Sequence, residues 1–294
     1  MNSAVNKQRA TFTGFIAILL WSTLALLTSL NGEVPPFQLL AMTFFIAFFW
    51  GTLYFIKTGN NLKSLKQPLS VWINGVLGLF GYHILYFLSL RNAPVIEASL
   101  IAYLWPILIV LFSSFLPGEK LRWFHLTGVL LGFFGVAILL QRNGTISLDP
   151  KYISGYILAL SCAIIWSTYS VISRRHKNAP TVLIGAFCGI SALISFVCHL
   201  LFEETLIPQQ GQWLFILLLG AGPLGLAFFV WDYGMKNGNI KLLGTLSYIA
   251  PLLSSSLLII FGKTRFSLQL LIACAFITAG SIISSMENWH KKKK

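Results

Sequence analysis

The sequence predicts an all-α integral membrane protein with ten transmembrane helices, arranged as two inverted repeats of five helices each. Three observations lead to this prediction: the composition, the number of apolar runs and a repeat at a fixed offset. Of 294 residues, 56% are hydrophobic and only 10% are charged, whereas a soluble domain carries about 25% charged residues. So few charges cannot cover a water-facing surface, which excludes a soluble globular protein and also a disordered chain.

Ten apolar runs are long enough to cross the hydrocarbon core as helices, which requires roughly 20 residues each. Polar or turn-rich segments such as 31–36 and 174–180 separate them. Strands of a membrane barrel would be about ten residues long with alternating polarity, and the sequence lacks that pattern. The predicted spans cover about residues 12–30, 37–56, 71–90, 95–116, 124–140, 155–172, 181–202, 213–234, 240–261 and 268–285.

The distribution of basic residues predicts that both termini lie in the cytoplasm. The net charge is +13, and with the N-terminus inside, 16 of the 21 Lys and Arg residues fall in inner segments. The positive-inside rule favours this orientation. The excess charge is therefore interpreted as topology and not as nucleic-acid binding. The lysines at 291–294 are expected to form a solvated tail that contacts anionic lipid, the alternative being a eukaryotic retrieval signal.

A repeat with an offset of 145 residues divides the chain into halves of five spans, 1–145 and 146–294. Because five is odd, the second half enters the membrane from the opposite side. Inverted repeats are typical of secondary transporters, whose substrate site lies near the bilayer midplane. The segments in register are Trp21-Ser22-Thr23 with Trp166-Ser167-Thr168, Arg91-Asn92 with Lys236-Asn237, Tyr103 to Pro106 with Tyr248 to Pro251, and Gly135 with Gly280.

The sequence contains no constellation typical of an enzyme, a metal site or a bound cofactor. It has no Ser/His/Asp or Cys/His set and no phosphate-binding loop of the GxxxxGK[ST] type. Residues 220–225 spell GxGxxG inside an apolar span, where close helix packing is the better interpretation. The cysteines are interpreted as buried apolar residues: Cys162, Cys188, Cys198 and Cys274.

Ionisable residues inside the spans are functional candidates, because hydrocarbon makes them costly. His83 is the deepest, and it shares an arc of about 100° with Tyr82 and Tyr86 on the third span. Glu97 and Asp232 lie near span ends, where a solvated helix end is an equally good interpretation. Because the midplane holds no carboxylate, the sequence disfavours proton exchange of lipophilic cations.

The fourth span carries a stripe of small and polar residues that includes Ser99, Tyr103 and Pro106. A proline inside a helix frees a backbone carbonyl, which can line a cavity or simply bend the helix. Pro251 does the same in the ninth span, beside Tyr248. Paired breaks in the two halves point to a central site.

Three tryptophans, Trp21, Trp105 and Trp166, lie near mid-span and not at the membrane interfaces where Trp is usually enriched. They suggest a cavity with aromatic walls for a flat apolar ligand, although packing between helices explains each residue equally well. No Lys or Arg lies near mid-span, which disfavours phosphorylated substrates.

The pattern of ten spans in two inverted five-helix halves resembles the drug/metabolite transporter superfamily in its EamA-type branch. Three strings resemble, more narrowly, the bacterial aromatic amino-acid exporters. The likeness covers essentially the whole chain. The strings are Gly81-Tyr82-His83-xx-Tyr86-Phe87, Glu97-Ala98-Ser99-Leu100-Ile101-Ala102-Tyr103-Leu104-Trp105-Pro106 and Pro117-Gly118-Glu119.

The resemblance implies a multi-pass bacterial inner-membrane transporter that exports phenylalanine, tyrosine or tryptophan by alternating access, with other amino acids as further candidates. It also implies a basket of spans 1, 3, 4, 6, 8 and 9 around the cavity. A monomer without a cofactor is expected. The alternatives are a broader drug or metabolite transporter, a nucleotide-sugar transporter and a non-transporting scaffold. The predicted substrate-binding residues are Trp21, His83, Tyr86, Ser99, Tyr103, Trp105, Pro106, Trp166, Tyr248 and Pro251.

Overall fold

The computed structural model describes residues 2–31, 34–141, 149–263 and 265–284, and over these residues its regular structure is entirely helical. Seven of the helices are long and apolar enough to cross a membrane, and three further apolar helices are shorter. The lysines at 291–294 lie outside the described residues. In chain order the helices are α1 (Asn6–Ser29), α2 (Pro36–Lys57), α3 (Leu69–Asn92), α4 (Glu97–Ser113), α5 (Trp123–Ile138), α6 (Pro150–Arg175), α7 (Leu183–Phe202), α8 (Gln212–Asn237), α9 (Ile240–Ile260) and α10 (Leu268–Ser284).

Helix starts follow local signals in the sequence. Pro36 is the first residue of its helix, where its fixed φ and missing N–H cost nothing. Pro68 and Pro94 stand immediately before helical segments in the same way. α9 begins after Asn239, whose side-chain oxygen accepts the backbone N–H of Leu242 at 3.2 Å. This side chain satisfies one of the donors that every helix start leaves unpaired.

α4 and α9 are both interrupted a few residues before their prolines. The regular helix stops after Ala102 and resumes at Trp105 in α4, and it stops after Leu246 and resumes at Ile249 in α9. Pro106 stands at the start of the resumed segment. The breaks lie at nearly equivalent positions of the two halves, as the paired prolines predict.

α3 and α8 each contain a π-helical turn, a feature not predicted from the sequence. The turns span Leu77–Gly81 and Gly222–Leu226, which differ by the repeat offset of 145. A π turn holds one residue more than an α turn and changes the direction of the side chains that follow. Gly220, just before the second turn, does pack closely: a Cβ there would lie 2.8 Å from the Thr43 carbonyl oxygen.

The most extensive helix contacts each join one helix of the first half to one helix of the second. They are α5 with α10, α2 with α7, α1 with α8, and α3 with α6. Adding five to, or subtracting five from, each helix number converts the α1–α8 pair into the α3–α6 pair and leaves the other two pairs unchanged. The core therefore lies between the halves, and the helices that surround it come from both.

The α5–α10 contact depends on glycine. A Cβ at Gly128 would lie 2.6 Å from the Gly280 carbonyl oxygen, whereas a Cβ at Gly211 would meet nothing within 4 Å. Because the obstacle is backbone, Gly128→Ala is expected to cost roughly 1–3 kcal/mol and to lower the melting temperature of the detergent-purified protein. Gly211→Ala is the matched control and should melt like wild type. Equal melting of the two variants would contradict this packing.

Candidate functional site

Four tryptophan side chains meet at the centre of the bundle, and all six pairs of rings are in contact. Ring centroids lie between 5.0 and 6.4 Å apart. Most pairs are edge-on or tilted, the arrangement that the charge distribution of aromatic rings favours. We call this cluster the tryptophan box. It consists of Trp21 from α1, Trp105 from α4, Trp166 from α6 and Trp231 from α8.

Hydrogen bonds hold two of the four indoles in place. Nε1 of Trp21 donates to the carbonyl oxygen of Pro223 at 3.1 Å, within the π turn of α8. Nε1 of Trp231 donates to Oγ of Ser170 on α6, also at 3.1 Å. Because a buried indole N–H needs an acceptor, these bonds fix the rotation of both rings.

His83 lies beside the box between two phenylalanine rings. Its ring is edge-on to Phe44 at 5.5 Å and to Phe228 at 6.3 Å. Nδ1 lies 2.6 Å from the Leu79 carbonyl oxygen, one turn earlier. Since a carbonyl oxygen only accepts, Nδ1 carries a proton there.

Hydroxyl-bearing side chains of α3 and α4 form a second surface, which we call the tyrosine face: Tyr82, Tyr86, Ser99 and Tyr103. Tyr82 is stacked on Tyr86 with an interplanar angle of 12° and touches Trp166 at 5.5 Å. The Tyr86 hydroxyl lies 3.2 Å from Oγ of Ser99. The three tyrosines are only half-buried. The tyrosine face therefore places partly exposed hydroxyl-bearing side chains next to the tryptophan box.

The structure does not bring Tyr248 to the tryptophan box. Tyr248 is fully buried and packs over Gly132 of α5, in a cluster with α4, α5 and α10. Its hydroxyl donates to the Tyr103 carbonyl oxygen, at 3.3 Å, at the break in α4. Pro106 and Pro251 are buried at the two breaks. In α9, Ala250 occupies the position equivalent to Trp105, so this helix offers no ring to the box.

Three aromatic residues of the site were not predicted: Trp231, Phe228 and Phe44. The repeat offset contained the signal for two of them, because Tyr86 plus 145 is Trp231 and His83 plus 145 is Phe228. A comparison of the two halves that considers only identical residue types misses these pairs, because their members are different amino acids. Phe44 comes from α2, a helix outside the predicted basket, and nothing in its sequence context marks it.

Asp232 is not a solvated helix end, which was one of the two interpretations left open. Its side chain is 2% exposed and pairs with Nζ of Lys236 at 2.7 Å. Oγ1 of Thr181 donates to the same carboxylate at 2.7 Å. A buried carboxylate needs such partners, and these two satisfy it. Glu97 is half-buried at the start of α4.

A second ion-pair network lies at the same end of the bundle, which we call the basic end. Glu119, in the connection after α4, pairs with Arg174 of α6 at 2.9 Å and with Lys241 of α9 at 2.5 Å. Burial alone would raise the pKa of Glu119, but the hydrogen bond and charge of Lys241, with the charge of Arg174, outweigh it and lower the pKa. The network ties both halves together at this end.

At the opposite end of the bundle, Glu203 closes the start of α2. Its two carboxylate oxygens accept the backbone N–H groups of Phe37 and Gln38, at 2.9 and 3.0 Å. A carboxylate at a helix N-terminus is stabilised by unpaired donors and the helix dipole. Nδ1 of His199 lies 3.0 Å from the same carboxylate. These contacts fasten α7 to α2 at this end of the bundle.

The four cysteines are free thiols; Cys162 and Cys188 are buried, and Cys198 and Cys274 are half-buried. Over the described ranges, no group of three or more His, Cys, Asp or Glu side chains is placed to hold a metal ion.

Comparison with known proteins assigns this architecture to a family. The sequence model of the EamA-like transporter family matches residues 8–141 and matches again over residues 153–286. The chain belongs to the EamA-like transporter family. The resemblance to the EamA-type branch that the sequence pattern indicates is confirmed. With its seven long apolar helices, this EamA-like protein is a multi-pass membrane protein.

Three curated relatives align with nearly the full length of the EamA-like protein. A protein of Ancylobacter novellus named "Aromatic amino acid exporter YddG" is 50% identical over 96% of this chain and 99% of its own. Proteins of the same name from Salmonella typhimurium and Escherichia coli are 27% and 26% identical, each over 95% of this chain and 97% of their own. A solved crystal structure at 49% identity superposes with a TM-score of 0.91, covering 95% of this chain and 98% of that one.

Proposed function

We propose that this protein is a secondary transporter that exports aromatic amino acids across the bacterial inner membrane by alternating access. The observation that carries the proposal is the tryptophan box of four mutually touching rings beside the half-buried tyrosine face. The names of the relatives from Ancylobacter novellus, Salmonella typhimurium and Escherichia coli support the same substrate class.

The chemistry of the site suits an aromatic zwitterion. Each well-placed aromatic pair contributes about 0.5–1.5 kcal/mol beyond area burial, so a substrate ring gains from several tryptophan walls at once. Tyrosine and serine hydroxyls and His83 can bind the ammonium and carboxylate groups without a permanent charge. Because no Lys, Arg, Asp or Glu among the described residues is in ring contact with the box, phosphorylated substrates and lipophilic cations are disfavoured.

We propose Trp21, His83, Tyr86, Ser99, Tyr103, Trp105 and Trp166 as substrate-binding residues, and we add Trp231. Pro106, Pro251 and Tyr248 are given a shaping role, because they lie at the breaks and not in the box. The protein is proposed to carry its substrate unchanged as a monomer, without enzymatic chemistry or a cofactor.

We further propose ten membrane spans in two inverted repeats, 1–145 and 146–294, with both termini and the basic end in the cytoplasm. The shorter helices α4, α5 and α10 extend roughly 25 Å at 1.5 Å per residue, which a tilted or locally thinned bilayer accommodates. Two observations support the inverted repeat: the π turns differ by the repeat offset, and equivalent rings touch each other, Trp21 with Trp166 at 5.5 Å and His83 with Phe228 at 6.3 Å.

The test is exchange in liposomes. Purified protein is reconstituted into vesicles loaded with unlabelled tryptophan, and uptake of labelled tryptophan is measured. We expect uptake that excess phenylalanine and tyrosine compete, because the box recognises a ring. A nucleotide sugar and a lipophilic cation should not compete, because the described part of the chain places no charged side chain in ring contact with the box.

Protein-free vesicles and vesicles loaded with buffer alone are the controls. Uptake by a folded preparation that ignores phenylalanine and tyrosine but responds to the cation would favour the broader drug or metabolite transporter. No uptake by a folded preparation would overturn the substrate assignment.

A further inference from the structure

The π turns of α3 and α8 are each followed by side chains that line the site, and the two sets of side chains can be matched through the repeat offset. Beyond the turn in α3 the chain presents Tyr82, His83 and Tyr86, and beyond the turn in α8 it presents the residues 145 positions later. Those are Ala227, Phe228 and Trp231. Since both turns begin and end at equivalent residues, the side chains after each turn point in equivalent directions from their helices.

The two faces have opposite environments in this structure. Tyr82, His83 and Tyr86 are half-buried, whereas Phe228 is 2% exposed and Trp231 is 0% exposed. The two faces also lie towards opposite ends of the bundle. Trp231 is five residues before Lys236, which lies at the basic end, and Tyr86 is five residues before Arg91, the residue equivalent to Lys236. Because α3 and α8 run in opposite directions in the proposed inverted repeat, Arg91 lies at the other end. The site is thus lined by partly exposed residues on the side away from the basic end and by buried rings on the side towards it.

We infer that Trp231 is the substrate-contacting counterpart of Tyr86, and that Trp231 and Phe228 line the site when the basic end opens. The inference rests on the proposed transport function and orientation. In an inverted-repeat transporter the two access states exchange the environments of equivalent residues. The face that is sealed here is therefore the accessible one in the other state.

The ring contacts show what Trp231 does in the sealed state. Its ring is stacked on Trp166 with an interplanar angle of 22° and lies 5.0 Å from Trp21. A flat aromatic substrate makes the same kind of contact with these two rings. When the basic end opens, Trp231 moves away from Trp21 and Trp166. A substrate ring that enters from that side takes the space and stacks between Trp231 and the other three rings of the box.

This exchange gives the two sides of the carrier different selectivity. The face that opens at the basic end carries Phe228 and Trp231, so it selects a ring by stacking. The opposite face carries His83 and Tyr86, so it adds hydrogen bonds to the polar end of the substrate. Trp231 is therefore the residue that selects aromatic substrates on the cytoplasmic side.

The experiment uses single cysteines and a membrane-impermeant methanethiosulfonate reagent. In a chain whose native cysteines are replaced by alanine, Trp231→Cys and Tyr86→Cys are each labelled from the inner and from the outer side of oriented vesicles. We expect Trp231→Cys to react at least tenfold faster from the inner side and Tyr86→Cys to show the reverse. Saturating tryptophan should slow labelling at both positions several-fold. Phe228→Cys is a second probe of the same face should Trp231→Cys not accumulate.

Labelling of both Trp231→Cys and Phe228→Cys from the outer side only, or from neither side in variants that elute as folded protein, would overturn the inference. Loss of tryptophan protection at Trp231→Cys alone would also overturn it. Loss of protection at both Trp231→Cys and Tyr86→Cys, with the sidedness intact, would instead count against the proposed substrate class. The two failures are therefore distinguishable.

Discussion

Trp105→Ala is expected to lower tryptophan exchange by at least about tenfold while the protein still accumulates in the membrane. Trp105 touches the other three rings of the box, at 6.4, 6.3 and 5.9 Å. Aromatic contacts are worth about 0.5–1.5 kcal/mol each, and about 1.4 kcal/mol is a factor of ten. Because Ala250 occupies the equivalent position in α9, no second ring replaces the lost wall.

The matched control is Trp213→Ala, which removes a tryptophan that is 51% exposed at the start of α8. It should leave exchange at the wild-type level. Trp105→Phe keeps a ring and should recover part of the activity. His83→Ala should also lower exchange, because it removes both the imidazole and its contacts with Phe44 and Phe228. Wild-type exchange in Trp105→Ala and His83→Ala would refute the assignment of the site.

Glu119→Gln is expected to lower the free energy of unfolding by about 3 kcal/mol, the typical effect of removing one partner of a buried ion pair. The loss is large because Lys241 is 2% exposed and would be left without its counter-charge. The melting temperature of the purified protein measures the effect. Glu119→Gln combined with Lys241→Met removes both charges and should regain much of the loss. If the single variant melts like wild type, the network does not hold the basic end together.

The same network predicts a pH dependence with a definite sign. The pKa of Glu119 is lowered from its ordinary value of 4.5, so the folded protein favours the charged carboxylate. Its contribution to stability is then complete above pH 4.5 and is lost as the pH falls through the lowered pKa. Melting curves of wild type should therefore approach those of Glu119→Gln at acid pH. A difference between the two proteins that persists below that range would contradict the role of this carboxylate.

Much of the helical architecture could be predicted from the sequence because lipid imposes simple rules. Each long apolar run became a helix, and the proline pair predicted the breaks in α4 and α9. The ends are less accurate: α6 was expected at residues 155–172 and occupies Pro150–Arg175. Hydropathy reports the apolar core of a span, whereas the helix continues into polar residues such as Arg174, which finds partners in Glu119 and the Met235 carbonyl.

Site residues could be predicted where the sequence of a single helix marks them. They could not be predicted where their role depends on contact with a second helix. Mid-span position singled out Trp21, Trp105 and Trp166, which do lie together. Tyr248 has the same local signal, but its ring turns towards Gly132 of α5, and only the packed structure shows that. For Asp232, the spacing to Lys236 was visible as an i, i+4 pair, but the hydroxyl of Thr181 comes from another helix.

The π turn in α3 makes the length of that helix as important as its composition. Each residue added to or removed from a helix rotates everything beyond it by about 100°. A single-codon deletion between Leu77 and Gly81 could restore an ordinary α turn and would leave every side chain of the site intact. It would nevertheless swing Tyr82 and Tyr86 away from Trp166 and Ser99. We therefore expect the length of this five-residue segment, and of its equivalent at Gly222–Leu226, to be constrained as strictly as Gly78 and Gly225, which have no room for a Cβ.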